Sequence, residues 1–487
     1  MSSLIKNELI KIFKKKSIYI IMLIVLAYTI LINCIAKYNS DSYSGYNYYS
    51  ENYINEYVKK ELSQLDPNKS SDTGLYIELK TDLDTYELIN KYDNTSWQCK
   101  FIQENVYSLI NEKNTYTYGI EKDENKVKEI ENQINKIIEK LDNDDWKYFA
   151  NLELEQAEKQ LDELEEEKSI TDDKKVLRDI DIAIECARID KEVAEYRINK
   201  EIKYGSDYLN SALRDYENSS KNIIELQNNS EEMSYQEKLA YNESLENKEI
   251  SRYIIENNVD LYSTDTKGML ENFFNEYGIF IIVVIVMIAG TIVSEEFNKG
   301  TVKLLLVKPY SRLKILISKY ITTLIILGIS LITFILMQLI VGGVIFGLNS
   351  LSIPVIQYDF NTNQLVELNI FTYLIIQILT QLPMLILLLT LAFALSTIFT
   401  NSALAITITL LGYMSPNIIN MLAIQYNVEI MKYFVTMNWD LSPYLFGGLA
   451  SMEGMSLGFS IIVSIIYLLL MIIPTYIIFK KRNIKNI

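Results

Sequence analysis

The sequence predicts an all-α membrane protein with six transmembrane helices and a large helical, coiled-coil-containing extracytoplasmic insertion between helices 1 and 2. Three observations carry this. Long apolar runs fill residues 18–36 and 273–479, whereas 37–272 are polar, and a bilayer core needs about 20 apolar residues per helix. The net charge of −16 divides into about −23 within 37–272, which leaves about +7 for the rest. Within the polar region, apolar residues recur at three-four spacing, the seam of a coiled coil.

The first span is expected over residues 17–36. A basic stretch precedes it, as in a signal peptide, and Leu31 to Cys34 have the look of a lipoprotein box. Asn33 stands where a small residue is wanted and the apolar run is long, so an uncleaved span is the better reading. The second span is placed at 273–293, the third at 317–346, the fourth at 370–399, the fifth at 403–424 and the sixth at 457–479. Pro383 in the fourth is expected to kink it.

Basic residues orient the spans. Lys6, Lys11, Lys14, Lys15 and Lys16 precede the first; Lys299, Lys303, Lys308, Arg312 and Lys314 follow the second; Lys480, Lys481, Arg482 and Lys485 follow the sixth. The loops near 347–369 and 425–456 hold Lys432 alone. The positive-inside rule then makes both termini and the 294–316 loop cytoplasmic, and 37–272 extracellular in a multi-pass cell-membrane protein. An acidic segment on a basic membrane region argues against nucleic-acid binding.

Within 37–272, Val127, Ile130, Ile134, Ile137 and Leu141 form one seam, and Ala150, Leu154, Ala157, Leu161 and Leu164 a second. Leu177, Ile180, Ile184, Ala187, Ala194 and Ile198 mark a third helix, with Thr171 offered as its N-cap. Two to three antiparallel helices are expected, with further helices at 50–65, 100–112 and 233–258. The tyrosines Tyr38, Tyr43, Tyr46, Tyr48, Tyr49, Tyr53 and Tyr57 suggest an aromatic belt where the first span leaves the bilayer. The sequence has no His and three Cys. That removes the commonest metal ligand and general base, and no CxxC pair exists, so no metal or cofactor is expected. A Cys99–Cys186 disulfide is left open.

Residues 294–320 read SEEFNKGTVKLLLVKPYSRLKILISKY. Glu295 and Glu296 continue the second span; Gly300 suits a helix stop; Thr301 can cap a short helix through Leu305 and Leu306 that Pro309 ends; Ser311 can cap the next. The product is a basic amphipathic helix held between two spans. Ser294, Glu296 (with Glu295 a close rival), Gly300, Thr301, Leu305, Leu306, Pro309, Ser311, Arg312 and Lys319 together resemble the segment joining spans two and three in ABC-2 type transporter permeases. In that family the segment is the coupling helix that contacts the ATPase subunit.

Residues 1–16 likewise resemble the family's amphipathic elbow helix, with Leu4, Ile5, Leu9, Ile12 and Phe13 toward the interface. The resemblance covers the elbow and six spans but not most of 37–272, where typical members have a short loop. It implies a short re-entrant or surface helix between the last two spans, for which 441–456 is the candidate. It also implies a separate ATPase subunit and a second permease subunit, identical or not. No GxxxxGK[ST] phosphate loop occurs in the chain, so it is not expected to hydrolyse ATP itself.

The spans contain few polar groups. Gln338, Gln377, Gln381, Asn417 and Asn420 are either interhelical hydrogen-bond partners or lining of a translocation path. The leading expectation is the permease subunit of an ABC exporter for a hydrophobic or amphipathic substrate, such as a peptide antibiotic. The alternative is an ATP-driven sensor or mechanotransmission protein acting through its external helices. A coiled-coil adhesion protein is the weakest reading, since it requires no loop of this kind.

Overall fold

The computed structural model describes residues 1–42, 51–205, 207–229, 232–298 and 310–482. They divide into two compact units, Tyr38–Tyr262 and the combination of Met1–Lys37 with Ser263–Ile487.

The second of these begins with α1 (Ser2–Phe13) and α2 (Lys16–Ser42). In α1, Leu4, Glu8 and Ile12 stand four apart, so one face buries two aliphatic side chains and a carboxylate. Lys14 and Lys15 separate it from α2, whose Lys16–Asn39 stretch is long and apolar enough to cross a membrane.

Tyr38–Tyr262 contains α3 (Thr73–Ile89), α4 (Tyr107–Tyr118), α5 (Glu124–Asp142), α6 (Trp146–Ile170), α7 (Lys174–Asn199), α8 (Tyr208–Asn229) and α9 (Tyr235–Asn257). On α5, Ile130, Ile134 and Leu141 are buried and Ile137 packs beside them, around a core that includes Trp97, Phe101 and Phe149. Helices α6 and α7 run antiparallel, bridged by Lys168–Asp181, Lys191–Glu158 and Arg197–Glu153. The expected Thr171 cap is corrected: Asp173 accepts from the Lys175 N–H and caps α7, while Thr171 donates back to the Glu167 carbonyl. Leu213 and Tyr216 of α8 and Ile254 and Ile255 of α9 form a second core with Ile202. Ser234 and Glu237 form a capping box that starts α9.

Cys99 is buried and Cys186 is partly exposed, and both are free thiols. Tyr53 stacks on Tyr57, with centroids 5.5 Å apart, and donates to Asp82. These two rings therefore pack within the fold of Tyr38–Tyr262. Tyr43, Tyr46, Tyr48 and Tyr49 lie outside the described residues. Helices α3 and α8 had no counterpart in the sequence reading.

From Ser263 on, the chain forms α10 (Phe273–Thr291), α11 (Ser294–Asn298), α12 (Arg312–Ile345), β1 (Val355–Asp359), β2 (Gln364–Leu368), α13 (Ile370–Phe399), α14 (Ser402–Met414), α15 (Pro416–Gln425) and α16 (Leu457–Lys481). With α2, these supply six helices long and apolar enough to cross a membrane: Lys16–Asn39, Phe273–Asn298, Arg312–Ile345, Ile370–Phe399, Ser402–Gln425 and Leu457–Lys481. The second and fourth are the centre of the packing, with 72% and 56% of their most apolar windows buried. Gly290 of α10 permits a close approach, since a Cβ there would meet Ile406 Cγ1 at 2.8 Å.

The third long helix begins at Arg312, capped by Ser311, so residues 312–316 of the expected loop are helical. The fourth continues through Pro383. The fifth is divided at Ser415–Pro416 into α14 and α15. The architecture is predominantly helical, as expected, with a small antiparallel hairpin β1–β2 that pairs Val355 with Leu368 and Asp359 with Gln364. Asp359 Oδ1 accepts the Asn361 N–H, and Asn363 takes φ 53°, which turns the chain. Between the fifth and sixth long helices the expected helix over 441–456 is reduced to 3-10 turns within Ser442–Gly447, broken at Leu445 and Phe446, whose backbone is non-helical.

Candidate functional site

The strongest concentration of buried charge in the described residues lies where α1, α11 and α12 meet. Lys319 of α12 is only 2% exposed, and its ammonium has three acceptors: Glu296 Oε1 at 2.9 Å, Glu8 Oε2 at 3.1 Å and the Ile292 carbonyl at 3.1 Å. An ammonium carries three donors, so each proton has one partner. Lys11 closes the ring from the exposed side, 3.0 Å from Glu8 Oε1 and 3.0 Å from Glu296 Oε1. Two carboxylates and two ammonium groups make the quartet neutral.

A second pair extends it. Lys15 lies 2.7 Å from Glu295 and also donates to Thr291 Oγ1 at 3.2 Å. A cavity of about 320 Å³ opens beside these groups, lined by Glu8, Lys11, Lys14, Lys15, Glu295 and Glu296. Burial lowers the proton affinity of Lys11, but Glu296 and Glu8 outweigh it, and the ammonium titrates above the ordinary lysine value.

Local structure explains the arrangement. Glu8 sits four residues from Leu4 and Ile12, so the face that buries those side chains also buries its carboxylate. Ser294 starts α11; its Oγ donates to the Gly290 carbonyl and its N–H donates to Ser396 Oγ, which fixes where Glu295 and Glu296 emerge. Taking charges out of water is expensive, and mutual attraction repays it only with satisfied geometry. The quartet meets that condition, so it holds three chain segments together and resists their separation.

The other expected residues have particular places. Gly300, Thr301, Leu305, Leu306 and Pro309 lie outside the described residues. Ser311 caps α12 by accepting from the Lys314 N–H. Arg312 donates to the carbonyls of Lys480 and Arg482, and Arg482 donates to those of Thr397 and Ile398, so the ends of α12, α13 and α16 are tied together.

Gln338 is fully buried and exchanges hydrogen bonds with Asn33, at 2.9 and 3.1 Å, while Tyr277 donates to its Oε1 at 2.6 Å. Gln377 donates to the Glu271 carbonyl and its Oε1 has no partner among the described residues. Gln381 donates to Asp440, and Asn420 exchanges hydrogen bonds with Thr436. Asn417 has no described side chain. The four described amides thus join one element to another.

Glu8, Lys11 and Lys15 escaped the sequence reading as site residues. The available signal was a single carboxylate in an otherwise apolar i, i+4, i+8 stripe, which demands a cation from elsewhere.

Comparison with known proteins adds a family. A model described as a protein of unknown function, DUF2705, matches residues 243–485. That region takes in Glu295, Glu296 and Lys319 and five of the six long apolar helices, and omits α1. The uncharacterized protein YhcI of Bacillus subtilis is 31% identical over 225 residues, 46% of this chain and 69% of its own length. The uncharacterized membrane protein YdbK of the same organism is 26% identical over 200 residues, 41% of this chain and 76% of its own length. No solved structure matches. The chain belongs to the DUF2705 family, whose members share the part of the sequence that carries the second to sixth apolar helices.

Proposed function

We propose that the chain is the membrane subunit of an ABC exporter, driven by a separate ATPase subunit and paired with a second permease copy or homologue. The cargo class is a hydrophobic or amphipathic molecule, with peptide antibiotics as the leading example. The observation that supports this reading is the charge quartet. It joins the N-terminal helix to Glu296 and Lys319, the residues that bracket segment 299–309 in sequence. A push from an ATPase on that segment would reach α1, α10 and α12 together, as a coupling element requires. In this reading both termini and the 294–316 region face the cytoplasm and Tyr38–Tyr262 faces outward.

Affinity purification from the native membrane, followed by ATPase assay, tests the proposal. The expected result is a co-purifying ATP-hydrolysing subunit whose rate in the complex changes with Glu296→Gln. Absence of such a subunit under conditions that retain the intact chain would overturn it.

The size of the unit Tyr38–Tyr262 favours a second reading, in which ATP hydrolysis moves that unit to signal rather than to export. Flux assays in vesicles separate the two. ATP-dependent movement of the unit without transport of amphipathic peptides supports the second.

A further inference from the structure

A groove of about 310 Å³ lies between α12, α13 and α16, away from the charge quartet's own cavity. This is the lower end of the size range of small-ligand sites, about 300 to 1,000 Å³. Its floor is buried, formed by Leu316, Thr390, Phe393 and Thr475, and its walls are exposed, formed by Leu313, Ile317, Ile472 and Ile473. The hydroxyls on the floor are already satisfied. Tyr320 and Thr390 bond each other at 2.8 Å, and Thr475 donates to the Met471 carbonyl at 2.6 Å. No polar group in the floor asks for a ligand atom, so the groove suits hydrocarbon.

Its mouth has the opposite character. Tyr476 lines the groove, and Lys480 Nζ lies 5.8 Å from the centre of its ring. Arg312 precedes the wall residue Leu313 and is bonded to the Lys480 carbonyl. Segments 310–320, 387–400 and 472–482, which bound the groove, contain Arg312, Lys314, Lys319, Lys480, Lys481 and Arg482 and no Asp or Glu. Lys319 is committed to its two carboxylates, which leaves the others to set the sign of the potential there.

We propose that this groove seats one acyl chain of an anionic phospholipid, with the headgroup phosphate held by Lys480 and the adjoining basic side chains. An apolar slot between membrane helices that ends in a basic cluster is the arrangement that anionic lipids recognise. The site rests on the membrane character of α12, α13 and α16 and is independent of whether the chain exports anything.

Native mass spectrometry of the full chain tests this, after extraction and exchange into nanodiscs of phosphatidylglycerol or phosphatidylcholine. Phosphatidylglycerol is expected to stay bound through delipidation in preference to phosphatidylcholine. Lys480→Gln is expected to reduce that preference by roughly fivefold, the scale of one basic side chain near a charged surface. Ile317→Trp and Ile473→Trp fill the groove from two opposite, exposed walls and are expected to remove the retained lipid without lowering thermal stability. Equal retention of both lipids by the unaltered chain, or unchanged retention in both tryptophan variants, would overturn the proposal. So would a dimer that either tryptophan variant converts to monomers, since the groove would then belong to a second copy of the chain.

Discussion

Lys319 shows how one residue can be committed by its surroundings. Its ammonium is buried against two carboxylates and a carbonyl, so removing it takes the buried cation from Glu8 and Glu296 and leaves them the more exposed Lys11. Lys319→Met is therefore expected to destabilise the protein by roughly 3–5 kcal/mol, read from denaturation in detergent. Adding Glu8→Gln and Glu296→Gln to that variant is expected to recover a large part of the loss, because the charge that remains, on Lys11, is half exposed and can be solvated. A triple variant no more stable than Lys319→Met would contradict the account.

Lys11 supplies a pH test of the same site. Its folded-state pKa is raised, so its contribution is complete below the unfolded value near 10.5 and is lost as pH rises through the higher folded value. The difference in melting temperature between the unaltered protein and Lys11→Gln is expected to be present at pH 8 and to narrow above about pH 10.5. A difference that stays constant through that range would exclude the ion pair as its cause.

Elements differ in how openly the sequence declares them. The six long apolar helices were legible because hydropathy over 20 residues is a strong signal, and the boundaries at 370–399 were read to the residue. The β1–β2 hairpin was not, because its strands have five residues each and sit in a short connection between two dominant helices. The division of the fifth apolar helix was written in Ser415–Pro416, since proline disfavours the helical conformation in the residue before it, yet its length as one hydrophobic run concealed that.

The start of α7 failed for a subtler reason. Thr171 and Asp173 are both good caps, and only geometry decides between them. Asp173→Ala is expected to cost about 1 kcal/mol, seen as faster hydrogen exchange at the start of α7, and Thr171→Ala distinctly less. Equal effects would restore the threonine as the cap.

At the scale of the whole molecule, the family match and the division into units tell one story. The matched region begins at residue 243, and the hydrophobic core built on α10, α12 and α13 draws its residues from Met1–Lys37 and Ser263–Ile487 alone. Replacing 43–262 with a Gly-Ser linker is expected to leave a protein that still inserts into the membrane. Loss of membrane insertion, scored by protease protection and detergent extraction, would show that the two units depend on each other. The site was half legible at this scale. Glu295, Glu296 and Lys319 stand in one continuous motif, whereas Glu8, Lys11 and Lys15 reach it from the far end of the sequence, where local pattern cannot name the partner.

That distance has a consequence for how the protein is made. The Lys11–Glu296 contact closes across 285 positions, and ribosomal synthesis delivers the acid at position 8, with the exposed Lys11 beside it, long before the buried Lys319. Until α12 has been inserted, the face of α1 that carries Glu8 must remain in water or at the headgroups. Docking of α1 is therefore a late event in biogenesis, and it registers that the second and third apolar helices have both arrived.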